Sequence, residues 1–390
     1  MREPALVSRM RPFTSTIFAE MTALAVRTGA VNLGQGFPDT DGPPGMLAAA
    51  RKAIADGVNQ YPPGPGRPDL RAAVAEHQQR FYAQTYDPDT EVLVTAGATE
   101  AIAAALLALV GPGDEVVVIE PYYDSYAAAV ALSGATRRVV GLREAEDGRF
   151  ALNAPALRAA ITPATRAILI NSPHNPTGTV FTSAELADIA KVCIEHDLIA
   201  ITDEVYEHLT YDDRKHIPLA TFPGMAERTV TISSAGKMFN CTGWKIGWAC
   251  GPANLIAAVR ATKQFLTFVG GAPFQPAVAY ALRSELQWVD DLQKSLQTKR
   301  DRLMAGLVAA GFEVHPTAGT YFICADVRPL GFTDGAELCF KLPEQIGVAA
   351  VPVQVFTDTP NEWRHLIRFA FCKKDEVLDE AVRRLATLRT

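Results

Sequence analysis

Apolar positions between about residue 90 and residue 250 follow two alternating rhythms. Short β-branched runs predict strands at 91–96, 115–120, 166–171, 198–202, 229–233 and 248–250, and segments with helical apolar spacing lie between them. Several runs, such as VVVI at 116–119 and AILI at 167–170, are apolar without interruption. Continuous apolar strands belong to a parallel sheet covered on both faces, and AELADIAKVCIEHD has the period of a covering helix. The first sixty residues read differently, with VNLGQGFPDTDGPPG and NQYPPGPGRPDL rich in Gly and Pro. They predict an arm and loops instead of core. Past residue 285 the pattern predicts a long charged helix over 286–310 and strands at 320–326 and 365–372. The expected division is an arm with part of a small domain at 1–44, a large α/β domain at 45–285, and a small α+β domain at 286–390.

Composition narrows the class. With 390 residues, 48% hydrophobic and 21% charged, the chain can bury a full core and has the balance of a folded globular protein. Lys and Arg number 37 against 43 Asp and Glu, a net charge of -6 that does not favour nucleic acid. No apolar run approaches the ~20 residues that span a bilayer. The N-terminal MREPALVSRMRPF lacks the apolar core of a secretory signal, so a cytoplasmic protein is expected. Six cysteines at 193, 241, 250, 324, 339 and 372 include no CxxC pair and read as buried free thiols. Seven histidines include no HExxH, and no metal is expected.

The segment ISSAGKMFNCTGWKIGW places Lys237 among small and apolar residues after a predicted strand. Most lysines are solvated surface charges, but desolvation here would lower the amine pKa and make it a nucleophile toward a carbonyl. Ser234 and Lys245 flank it with a hydroxyl and a cation, a pair suited to a phosphate dianion. In LIAITDEVYEHL, Asp203 ends an apolar strand, where a carboxylate needs a cationic partner unless it merely caps a turn. NSPHNPTG puts Asn175 past the AILI strand, at the edge where ligands of α/β sheets bind, although turn asparagines are common. VLVTAGATEAIAAALLALV reads as strand, tight turn and helix, whose first amides at Ala98 and Thr99 could meet a phosphate. Arg368 lies in the alternating HLIRFAFCK, either paired at a sheet edge or facing an anion.

NSPHNPTG, TDEVYEHL and SSAGKMFNCTGWKIGW, in this order along the chain, resemble the class I/II aminotransferases of fold type I, with weaker similarity along almost the whole chain. The resemblance implies a large domain with a mostly parallel seven-stranded sheet between helices, a smaller α+β domain, and pyridoxal 5'-phosphate as cofactor. By resemblance Lys237 is the Schiff-base lysine and the proton carrier, and Asp203 pairs with the pyridinium nitrogen. Asn175 and Tyr206 donate to the phenolic oxygen, Val205 lies against one ring face, and Tyr123 stacks on the ring. Ala98, Thr99, Ser234 and Lys245 hold the phosphate. Tyr61 reaches the phosphate in the neighbouring subunit of a homodimer, Gly36 closes over the substrate, and Arg368 clamps its α-carboxylate.

Within the family the phrases VNLGQGFPD, NQYPPGPG, EPYYDSY and KMFNCTGWKIGWACGP most resemble bacterial N-succinyldiaminopimelate aminotransferases of lysine biosynthesis. They are also similar to kynurenine, glutamine and methionine aminotransferases, some with cysteine-conjugate β-lyase activity. Arg67, in GPGRPDL, is a weak candidate for a distal substrate carboxylate beside the plainer reading of a solvated loop arginine.

Overall fold

Seven strands build the main sheet of this computed structural model: β1 (Val92–Thr95), β2 (Glu115–Glu120), β3 (Thr136–Gly141), β4 (Thr165–Asn171), β5 (Ile199–Asp203), β6 (Thr229–Ser234) and β7 (Gly247–Cys250). Residues 5–14 and 16–388 are described; 1–4, at the head of the expected arm, Ser15, and 389–390, at the tail of the expected small domain, lie outside them. The spatial order is β1-β7-β6-β5-β4-β2-β3. β2 to β6 run parallel, and β7 enters antiparallel between β6 and β1. Every residue of β1, β5, β6 and β7 is buried, as uninterrupted apolar or small side chains between helical layers require. Truncating one buried Leu or Ile in such a layer costs ~2–5 kcal/mol.

Six of the strands lie within one or two residues of the sequence-based bounds. β3 is the seventh, and its TRRVVG pattern conceals it because two arginines break the apolar run. They are accommodated because β3 is an edge strand, and Arg137 reaches Asp358 at 2.6 Å.

The expectation of loops without core in the first sixty residues is corrected. Helices Ile17–Thr28 and Pro44–Ala55 fill much of that segment, burying Met21, Leu24, Ala25, Met46, Ala50 and Ala53. Met21, Leu24 and Ala25 form an i, i+3, i+4 stripe, bounded by the Thr16 side chain that accepts from the Ala19 amide and by Gly29 at φ 65°. The flanking Gly-Pro runs outweigh that stripe in a composition reading.

The long helix spans Leu286–Ala309, and four antiparallel strands follow: β8 (Glu313–Val314), β9 (Phe322–Asp326), β10 (Val351–Pro352) and β11 (Leu366–Ala370), ordered β8-β9-β11-β10. Val31–Asn32 pairs parallel with Val348–Ala349, so the N-terminal segment is stitched to this later part of the chain. Among the described residues no helix is long and apolar enough to cross a membrane. All six cysteines are free and buried, as their spacing led us to expect.

Candidate active site

The registers Gly247 with Thr95 and Gly247 with Ser234 bring the ends of β1 and β6 and the start of β7 to one edge of the sheet. Asn171 and Asp203, at the ends of β4 and β5, pair at the same edge. A cavity of about 340 Å³ opens there, closed from above by Gln35 and Gly36, by Phe322 of β9 and by Arg368 of β11.

Lys237 rises into this cavity from the short helix Ala235–Met238, directly after β6. Its Nζ donates to the Tyr321 hydroxyl at 2.8 Å and reaches the Gly36 carbonyl at 3.5 Å, while Tyr321 donates to the same carbonyl at 2.6 Å. Burial pushes the ammonium down to about 8, so roughly a tenth to a fifth of the amine is neutral near physiological pH, far more than for an exposed lysine. That is the state a nucleophile or base requires.

Asp203 is buried at 5% exposure, with no cation within salt-bridge distance among the described residues. Tyr126 donates to its Oδ2 at 2.5 Å, and the Val205 amide reaches Oδ1 at 3.3 Å. Burial pushes its carboxyl up to about 6, against the opposing pull of those donors. Asn171 fixes the backbone there by donating from Nδ2 to the Asp203 carbonyl at 2.8 Å. A buried carboxylate facing a cavity without a counter-ion is a socket for a cationic group.

Arg368 is only 1% exposed and has no carboxylate partner among the described residues. Its guanidinium donates to Asn175 Oδ1 at 2.9 Å and to the Gly34 carbonyl at 3.0 Å, and lies 3.9 Å from the Phe322 ring centre. Nε has no partner, and burial lowers the guanidinium pKa from its ordinary value. This cation lines the same cavity as Lys237, and a planar carboxylate is the anion its fork fits. Because Arg368 occupies the Asn175 oxygen, the amide Nδ2 of Asn175 is left as the group free to donate.

A third corner gathers anion-binding groups. Gly97, at φ +77°, opens the thirteen-residue helix Gly97–Leu109, whose first amides include Ala98 and Thr99. A Cβ on Gly97 would sit 3.1 Å from Lys245 Nζ, and one on Gly247 would sit 2.6 Å from the Gly97 carbonyl carbon. Both glycines therefore keep the turn open to a ligand and to the lysine. Ser234, Thr99 and Lys245 line the cavity around it. Tyr123, Val205 and Tyr206 supply the remaining walls, and burial holds the Tyr206 phenol well above its ordinary range.

Twelve of the sequence-predicted residues thus meet in one cavity: Gly36, Ala98, Thr99, Tyr123, Asn175, Asp203, Val205, Tyr206, Ser234, Lys237, Lys245 and Arg368. Tyr61 does not. It is 80% exposed and packs edge-on against Phe268 at 5.3 Å. Arg67 also lies outside, turned to Asp69 at 3.0 Å. Sequence reasoning missed Tyr126, Tyr321 and Asn171. Tyr126 had a signal, one helical turn after Tyr123 in YYDSY, and Asn171 ends the AILIN strand; Tyr321 had none. Outside the cavity lining, the side chains of His77, Glu207 and His208 converge. The two imidazole Nε2 atoms are 2.7 Å apart, a hydrogen-bond distance shorter than the about 3.4 Å that separates two nitrogens on one tetrahedral zinc.

Among the described residues, a buried amine with a lowered pKa, a buried carboxylate without a cation and a buried guanidinium without an anion share one cavity, an arrangement suited to amino-group transfer. The chain belongs to the class I and II aminotransferases, whose family model matches residues 28–385. N-succinyldiaminopimelate aminotransferase from Mycobacterium tuberculosis, described as probable among curated proteins, is 63% identical over 98% of both chains. The solved structure of that enzyme superposes with a TM-score of 0.97 over 99% of this chain and 100% of the other. Methionine aminotransferase from Escherichia coli is 39% identical over 98% of each chain. Kynurenine–oxoglutarate transaminase 3 from Rattus norvegicus is 38% identical over 96% of this chain and 88% of its own. Aminotransferases of this class generally use pyridoxal phosphate.

Proposed function

We propose that this chain is a pyridoxal-phosphate-dependent aminotransferase that exchanges an amino group between N-succinyl-LL-2,6-diaminopimelate and 2-oxoglutarate. The geometry that carries the transaminase reading is Arg368, a buried cation with no anionic partner among the described residues, sharing one cavity with Lys237. The substrate rests on the 63% identity to the mycobacterial enzyme, against 39% for the methionine aminotransferase.

The residues present fit the cofactor. Asp203 has no counter-ion among the described residues, a role that a protonated ring nitrogen would fill, and Asn175 Nδ2 and the Tyr206 hydroxyl are donors suited to a phenolic oxygen. The Gly97 turn, Ser234 and Lys245 form a cradle for a phosphate, and Tyr123 and Val205 offer surfaces for the two ring faces. When bound, pyridoxal phosphate supplies an electron sink for the negative charge that develops on the substrate α-carbon. Arg368 binds the substrate α-carboxylate and orients the α-C–H bond. Lys237 Nζ, made easier to deprotonate by the burial that lowers its pKa, removes the α-proton and holds it for return. Asp203 keeps a proton at the ring nitrogen. Gly36, whose carbonyl already takes the Tyr321 hydroxyl, brings the N-terminal segment over the site and excludes water.

The enzyme is proposed to act as a homodimer, with Tyr61 reaching the phosphate of the neighbouring site. Tyr61 stands 80% exposed and packs against Phe268, itself 52% exposed, an exposed apolar pair of the kind that a second copy covers. Six free buried thiols fit a reducing, cytoplasmic setting. Glutamate-dependent turnover of N-succinyl-diaminopimelate, measured beside methionine and kynurenine, tests the substrate: negligible activity on the succinylated compound sinks it. Lys237→Ala tests the chemistry. It should fold, bind cofactor without the absorbance of the lysine-linked form, and lose turnover.

A further inference from the structure

Asp203 is positioned by a group outside its own motif. Tyr126, from the helix Asp124–Ser133, donates to Oδ2 at 2.5 Å, and it is the one side-chain donor to that carboxylate among the described residues. Both partners are buried, Tyr126 at 2% and Asp203 at 5% exposure. Burial and the neighbouring charge hold the phenol well above its ordinary range, so it stays a donor. The helix also presents Tyr123 one turn earlier, 5.8 Å away and perpendicular, so one face of it supplies both a wall of the cavity and the brace behind Asp203.

We propose that Tyr126 is a positioning residue for amino transfer, which through its hydrogen bond keeps the Asp203 carboxylate ionised and turned toward the ring nitrogen of the cofactor. The inference rests on the cofactor reading above. A carboxylate buried at this depth favours its neutral form unless donors oppose desolvation. The other groups that face or adjoin it are Lys237 from the helix after β6, Glu204 and Tyr206 from its own turn, and Tyr123 from the neighbouring helix. Of these, Lys237 favours the anion and Glu204 opposes it. Without the Tyr126 hydroxyl, Oδ2 is left with no donor. A neutral acid there can no longer balance the charge of a protonated ring.

The test compares wild type with Tyr126→Phe, an isosteric change, each carrying either pyridoxal phosphate or a carbocyclic analogue in which the ring nitrogen is replaced by carbon. With the native cofactor we expect a loss of about 10- to 100-fold in kcat, the weight of a hydrogen bond to a charged group. The cofactor dissociation constant should rise as well, and the acid limb of the kcat profile should move to higher pH. With the analogue, which leaves Asp203 nothing to pair with, the two proteins should agree within about threefold. In an Asp203→Asn background the Tyr126→Phe change should also cost nothing further. Unchanged kcat with the native cofactor, or the same loss with both cofactors, overturns the proposal. Failure of the wild type to bind pyridoxal phosphate would instead overturn the cofactor reading.

Discussion

Replacing Arg368 by methionine separates what this residue does for the fold from what it does for the substrate. The free protein carries a guanidinium at 1% exposure without a carboxylate partner among the described residues. Burying a lone cation costs several kcal/mol. Against that stand two hydrogen bonds, to Asn175 and Gly34, at about 1.5–3 kcal/mol each, and the contact with the Phe322 face, at about 2 kcal/mol. The terms nearly cancel, so Arg368→Met should change the stability of the cofactor-free protein by no more than about 2 kcal/mol. For a chain of 390 residues, where unfolding entropy corresponds to about 0.8 kcal/mol per degree, that is a shift in Tm of about 3 °C or less. Catalysis should respond differently. Losing a bidentate, charge-assisted grip on the α-carboxylate removes about 3–5 kcal/mol, or about 10²- to 10³-fold and more in kcat/KM. A decarboxylated amine of the same side chain, with nothing for Arg368 to hold, should be processed equally by both proteins. Calorimetry and paired steady-state assays suffice. A Tm fall beyond about 6 °C, or kcat/KM for the amino acid within about threefold of wild type, refutes the reasoning.

Other outcomes follow from the same site. Asp203 is pushed up to about 6 by burial, so cofactor-free protein should lose stability as pH rises from about 4 to 6. In that window the unfolded carboxyl has already released its proton and the folded one has not; Asp203→Asn should flatten this slope in melts taken across it. Tyr321→Phe removes both the brace on Lys237 and the bond to the Gly36 carbonyl, and kcat should fall by about tenfold with KM for cofactor little changed. Tyr61→Phe should weaken cofactor binding by about tenfold while leaving a dimer in analytical ultracentrifugation; unaltered cofactor affinity would remove Tyr61 from the neighbouring site.

The strands and the chemistry at their ends were legible for one reason: a β-branched, largely apolar run that stops at Asn171, Asp203 or Ser234 announces both the strand and the polar group it delivers. β3 was hidden because its arginines are answered from elsewhere in the chain, Arg137 by Asp358, 221 residues away, and Arg138 by Glu115. Tyr321 was hidden for the same reason, since its value lies in meeting Lys237 across 84 residues. The helix Ile17–Thr28 was obscured by composition, its apolar stripe flanked by Gly-Pro segments that dominate a reading by residue type. Local pattern exposes what a strand carries. It does not expose what two distant strands share.

The stitching of Val31–Asn32 to Val348–Ala349, and of the Gly34 carbonyl to Arg368, has a consequence for biosynthesis. All seven strands of the main sheet have been synthesised by residue 250, with Asp203 and Lys237 on it, yet the roof of the cavity comes from residues near 35 and beyond 320. During translation the early segment must wait for its partner until the ribosome has released residue 368. A message cut short before β11 would encode all seven strands of the main sheet and leave out Arg368 from the roof of the cavity.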